Sequence, residues 1–97
     1  MSEIEFEWSD QKKRLNYKKH GVWFQEAKSV FHDPYARLRH DPDHSHEEDR
    51  FVLLGMSDQL RLIVVCHVYK KEDRIIRIYS ARRAVKEEAK EYGRHLI

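Results

Sequence analysis

The sequence predicts an α+β fold: an antiparallel sheet packed on helices, with elements in the order β-α-α-β-β-β-β-α. Ser9 and Gly21 bound one helix, and Trp23 to Phe31 and a further stretch from Val85 onward place apolar residues at helical spacing. Between them lie three apolar runs rich in β-branched and aromatic residues, joined by short polar connections. Helices gathered apart from a run of strands indicate α+β rather than alternating α/β architecture.

Each element has its own signal. Ile4 to Trp8 alternates apolar with acidic residues, which suits a short strand with Ile4, Phe6 and Trp8 on one face. Ser9 is a good helix N-cap and Asp10 favours the first turn; the helix then runs to about Lys19, where Gly21 is suited to end it. Trp23, Ala27 and Val30, with Phe24 and Phe31 alongside, give a second helix ending before Asp33-Pro34. Tyr35 to His40 reads as a strand, and Asp41 to Asp49 as a solvated, turn-rich loop. Phe51 to Gly55, Leu60 to Tyr69 and Ile75 to Ala81 read as neighbouring strands, connected through Ser57-Asp58-Gln59 and Lys71-Glu72-Asp73. Val85, Ala89 and Tyr92 mark a last helix, followed by Gly93.

At 97 residues, two independent cores would each be too small to fold, so residues 1–97 are read as a single domain. The apolar share is 40% and the charged share 37%, which implies a thin core and a highly charged surface. The net charge is only +2, but the signs are segregated: Lys12 to Lys19 and Lys70 to Arg83 are basic, Asp41 to Asp49 acidic. Local potential, more than total charge, recruits a polyanion, so nucleic acid is a candidate partner. No stretch approaches the roughly 18 apolar residues of a membrane span, and Met1 to Glu7 lacks the plan of a signal peptide. A cytoplasmic protein is expected. Cys66 is the single cysteine, which excludes an internal disulfide and reads as a buried, inert thiol.

A hairpin centred on Glu72 would pair His67 with Arg77 and Val65 with Tyr79, and bring Arg61 near Arg83. One face would then be apolar and the other would gather His67, Arg77, Tyr79, Tyr69 and Arg61; a one-residue slip would mix the two. Cations that hold phosphates beside rings on which bases can stack suit an RNA surface. Metal-free RNA cleavage needs a base for the 2′-hydroxyl, an acid for the leaving oxygen and fixed positive charge, which histidine and arginine can supply. The plainer alternative makes His67 and Arg77 an ordinary strand pair. His40, His44 and His46 among carboxylates invite a metal reading, but no cysteine pair or supporting shell accompanies them, so neither metal nor other cofactor is expected. Glu48 and Arg50 read as an ion pair bracing that loop.

Family likeness adds to this. Phe6-Glu7-Trp8, Lys12, Asn16, Lys19-His20-Gly21-Val22, Phe24, Glu26-Ala27, Phe31, Asp33-Pro34, Glu48-Asp49-Arg50 and Arg77 through Ala84 resemble the BrnT toxin family over nearly the whole chain, most specifically in the KHGV and SARRA segments. The resemblance implies a RelE-like fold, ribonuclease activity that blocks translation, and a BrnA-like antitoxin that neutralises the toxin and alone carries the complex to operator DNA. The expected catalytic residues are His67, Arg77, Arg82 and Arg83, with Lys12, Lys19, Arg61 and Tyr79 binding RNA. The rival readings are a non-catalytic module that binds nucleic acid or protein through the same face, and a purely structural subunit. The chain departs from the family at Trp23 and Val85, where Ser and Thr commonly cap helices in boxes with the residues at Glu26 and Glu88; each helix start is expected to lose about 1 kcal/mol unless packing recovers it.

Overall fold

The computed structural model describes residues 3–94 and 96. Strand β1 (Glu5–Glu7) leads into helices α1 (Asp10–His20) and α2 (Phe24–Ser29), the latter tightening into a 3-10 turn over Val30–His32. Strand β2 (Arg37–His40), a 3-10 turn at Pro42–His44, strands β3 (Phe51–Met56), β4 (Leu62–Lys70) and β5 (Ile75–Arg83), and helix α3 (Lys86–Arg94) follow. The sheet order is β1-β5-β4-β3-β2. It is mixed rather than antiparallel, because the N-terminal strand lies parallel to β5, with Glu5 opposite Ile75 and Glu7 opposite Arg77.

Local chemistry explains the helix ends. Ser9 Oγ accepts from Lys12 N at 3.3 Å, and Gly21 stops α1 in the left-handed region at φ 71°, its N–H donating to Tyr17 O. At the start of α2, Trp23 makes no side-chain cap. It stacks on Tyr17 instead, with ring centroids 3.9 Å apart, a contact on the scale of the missing cap. At Val85 half of a capping box survives, the Val85 N–H donating to Glu88 Oε1 at 2.8 Å. Gly93 does not end α3, which runs on to Arg94.

The main core lies between the sheet and α2. Phe24, Ala27 and Val30 meet Leu53, Ile63, Val65, Ile76, Ile78 and Ala81, all buried. On the other sheet face a smaller cluster joins Val52, Leu54 and Val64 to Tyr92 of α3. Gly55 lets β3 approach the 3-10 turn closely: a Cβ there would lie 2.9 Å from both Ala36 Cβ and Val30 Cγ1. Asp33, beside it, accepts from Met56 N and the Tyr92 hydroxyl, each at 2.7 Å. These bonds and that from Tyr35 N outweigh desolvation and lower the Asp33 pKa, while burial and Asp33 push the Tyr92 phenol up to about 12.

Two features fix the register of β5. The β4–β5 connection is a four-residue turn, Lys71 to Arg74, closed by Arg74 N donating to Lys71 O, with positive φ at Lys71, Glu72 and Asp73. It therefore sets His67 opposite Ile78 and Arg77 opposite Val68, one residue away from a hairpin centred on Glu72. A bulge follows: Cys66 faces Ser80, so Tyr79 is the extra residue. Beyond the end of β1, the buried Asn16 of α1 takes over the open edge of β5. Its Oδ1 accepts from Ala81 N at 3.0 Å and its Nδ2 donates to Ala81 O at 2.8 Å and to Val22 O at 3.0 Å. One carboxamide thus supplies the donor and acceptor of a missing strand.

Candidate nucleic-acid interface

The face of the sheet opposite α2 is covered by α3 only in part. Between α3 and the 41–50 loop it opens into a basin of about 520 Å³, floored by Val52, Val64, Cys66 and Ser80. Four cationic side chains line it, Lys12 of α1, Arg39 of β2, Arg50 and Arg82, against the carboxylates of Asp41 and Asp43. Tyr79 stands at the centre of this charge. The Arg50 guanidinium lies 4.1 Å from its ring centroid, the Lys12 ammonium 5.5 Å and Arg77 5.9 Å. Its hydroxyl donates to Glu48; burial first, and that bond second, raise the phenol pKa and keep it neutral. Glu48 and Arg50 therefore meet at Tyr79, one at the hydroxyl and one on the ring. Arg82 forms a two-pronged pair with Glu88 of α3, at 2.8 and 2.9 Å, which raises the Arg82 pKa and lowers that of Glu88. Arg77 is held by Glu7 at 2.9 Å, with Lys70 at 3.9 Å from the same carboxylate.

The 41–50 loop is largely exposed, as a solvated loop should be, yet internally ordered. Asp41 N donates to Arg50 O at 2.8 Å, and the Ser45 hydroxyl donates to Asp41 O while accepting from Arg50 N. Inside this frame the 3-10 turn stacks His44 over Asp41, with Nδ1 and Oδ2 2.8 Å apart. Both side chains line the basin. His40 turns instead to Asp49, at 3.2 Å. Among the described residues no three His, Cys, Asp or Glu side chains converge as a metal-binding group.

The expected site residues divide between the two faces. Arg77, Tyr79 and Arg82 lie on the basin side with Lys12. His67 does not: the one-residue slip at the turn buries it completely on the helix side, within aromatic contact of Phe31, Phe51 and Tyr69. Its Nδ1 lies 3.1 Å from Val65 O and its Nε2 3.2 Å from the Tyr69 hydroxyl, and burial lowers its pKa. Arg61 is on the helix side too, clamped to the buried Glu26, which also accepts from Ser57 at 2.7 Å. The Arg61 bonds, ahead of desolvation, hold Glu26 below its ordinary value. Arg83 faces that way as well, opposite Ile63, and its charge helps keep Glu26 ionised. Lys19 is exposed in the last turn of α1, outside the basin lining. Cys66 is half-buried on the basin floor, where desolvation raises its pKa and keeps it a thiol. Sequence reasoning missed Arg39, Arg50 as a basin cation, and the His44–Asp41 pair. The i, i+3 spacing of Asp41 and His44 around Pro42, a residue suited to a first helical turn, is the signal that was available.

Fold and basin together define a small α+β domain with one sheet face sealed by helices and the other presenting a cationic hollow suited to an anionic ligand. Residues 8–88 match the model of the ribonuclease toxin BrnT of type II toxin-antitoxin systems, and the chain belongs to this BrnT family. The 1.1 Å-resolution crystal structure of the Brucella abortus ribonuclease toxin BrnT is similar in fold, with a TM-score of 0.63 at 20% identity, covering 89% of this chain and 100% of that one. No curated protein matches the chain by sequence. No helix among the described residues is long and apolar enough to cross a membrane.

Proposed function

We propose that this chain is a RelE-like endoribonuclease that cuts RNA in the basin around Tyr79, blocks translation, and is silenced by a BrnA-like antitoxin. The observation that carries the reading is the convergence of Lys12, Arg39, Arg50 and Arg82 on one concave sheet face floored by Val52, Val64, Cys66 and Ser80. Guanidinium groups bind phosphate oxygens in pairs and cannot lose their charge at neutral pH. Fixed in place before substrate arrives, they stabilise the charge that develops on a phosphorane without the help of a metal ion. Arg82 already shows the two-pronged geometry a phosphate requires, in its pair with Glu88, and a phosphate takes that fork by displacing the carboxylate. The Tyr79 ring is occupied by Arg50, so its role is to hold cations in position rather than to stack a base.

The antitoxin follows from the same charges. Covering these cations without partners would cost several kcal/mol, so the silencing segment must bring carboxylates to the basin. Antitoxin and RNA then exclude one another, and operator DNA is reached through the antitoxin.

Induced expression without a partner tests the reading. The wild type should arrest growth, and its cleavage of RNA should persist in excess chelator. Arg82→Ala should remain folded yet raise the barrier by about 2 to 4 kcal/mol and lose toxicity. A folded Arg82→Ala protein of undiminished toxicity would remove the basin from consideration, and binding of RNA without cleavage by the wild type would mark a non-catalytic module.

A further inference from the structure

We infer that His44, oriented by Asp41, is the general base that activates the 2′-hydroxyl of RNA; this rests on the basin being the cleavage site. The residue first expected to move protons, His67, is fully buried on the opposite face, so the basin needs another titratable group. His44 meets three requirements at once. It lines the basin together with Arg82 and Lys12. Its side chain is 67% exposed, which leaves it open to substrate and solvent, whereas that of Asp41 is only 14% exposed. Its Nδ1 lies 2.8 Å from Asp41 Oδ2.

That hydrogen bond determines the chemistry. An ionised carboxylate only accepts, so Nδ1 must carry the proton and donate it. In the neutral form of the ring Nε2 is then the nitrogen that can accept a proton, and among the described residues no side chain or backbone group bonds to it. A neutral imidazole with its tautomer and orientation set by a carboxylate is the arrangement by which a histidine accepts a proton from a hydroxyl. Asp41 is itself anchored through its backbone, N to Arg50 O and O from the Ser45 hydroxyl, so its side chain is left to hold the ring. Asp41 is a positioning residue and does not take the proton.

The step balances without a co-reactant other than water. Nε2 of His44 takes the 2′-hydroxyl proton as O2′ bonds to phosphorus, and the P–O5′ bond breaks. The 5′-oxygen leaves as a hydroxyl with a proton from solvent, and the imidazolium returns its proton to water. The products are a 2′,3′-cyclic phosphate and a 5′-hydroxyl end, with the phosphorane charge met by Arg82.

The test uses the full chain, a 5′-labelled single-stranded RNA of mixed sequence, and the same RNA with 2′-deoxy sugars as a binding probe that cannot be cut. His44→Gln should lower single-turnover cleavage by roughly a hundredfold while leaving 2′-deoxy RNA affinity and thermal stability unchanged. His44→Ala should regain part of its rate when imidazole is added, which a structural role would not allow. Asp41→Asn keeps the backbone bonds of the loop and should lower kcat by about tenfold with KM unchanged. Normal cleavage by His44→Gln alongside a failed Arg82→Ala overturns the base assignment and leaves the basin in place. Failure of the wild type to cut the RNA, or normal cleavage by Arg82→Ala, overturns the basin reading and this inference with it.

Discussion

Replacing Asn16 by alanine removes three hydrogen bonds at a point where the sheet has no other partner. Ala81 N–H, Ala81 C=O and Val22 C=O all lose the carboxamide, and both residues are completely buried. A buried polar group left unpaired costs about 1 to 3 kcal/mol, so three set an upper limit near ~9 kcal/mol. Water entering the vacated volume recovers part of this, and a net loss of about 3 kcal/mol is expected. In a domain of this size that corresponds to a fall in Tm of about 12 to 24 °C. Urea unfolding followed by circular dichroism reads the loss directly, with an unchanged m-value showing that the unfolded state is unaffected. Asn16→Asp is the sharper companion: the same shape survives, but a carboxylate oxygen replaces the donor facing two carbonyls, so it should be at least as destabilising. A loss below about 1 kcal/mol for both variants would refute the argument that this side chain stands in for a strand.

Two further outcomes follow from the register. Burial holds His67 below its ordinary value of 6.5, so above that pH both states are neutral, and below it the unfolded chain binds a proton that the folded one refuses. Stability should therefore be full above pH 6.5 and decline as pH falls below it, before Glu26 and Glu88, whose ordinary value is 4.5, begin to titrate. His67→Phe should flatten that slope, and a wild-type profile already flat there would contradict the burial. Glu72 sits at φ 56° in the β4–β5 turn, so Glu72→Gly should gain about 1 kcal/mol on thermal unfolding; a loss would show that the left-handed turn is not strained.

Much of the architecture was legible because it depends on local chemistry. Ser9 and Gly21 bound α1 as their capping preferences require, and the β-branched and aromatic apolar runs of β3 to β5 found the sheet. The parts that were not legible depend on geometry that composition does not encode. Nothing in Lys71-Glu72-Asp73 announces three consecutive residues of positive φ, because glycine, the usual sign, is absent from this turn. Lengthening the connection by one residue set His67 opposite Ile78, in the core, and left Arg77 on the other face. The parallel pairing of β1 joins segments seventy positions apart, as Glu5 opposite Ile75 shows, and no periodicity reaches that far. Asp41 to Asp49 reads as a solvated, turn-rich loop, and its internal order is not legible because it comes from polar bonds between Asp41, Ser45 and Arg50, whereas hydrophobic patterns report only apolar order.

The bulge at Tyr79 behaves like a frameshift in side-chain direction. Upstream of it the even-numbered residues of β5, Ile76 and Ile78, point to the helices; downstream the odd-numbered Ala81 does. Two adjacent arginines that read as one clamp in the sequence are thereby issued to different compartments of the molecule. Arg82 meets Glu88 beside the basin, while Arg83 adds its field to a carboxylate on the far side of the sheet. A double substitution at these positions would mix the proposed phosphate contact of Arg82 with a folding contribution, and the two single variants belong to separate experiments.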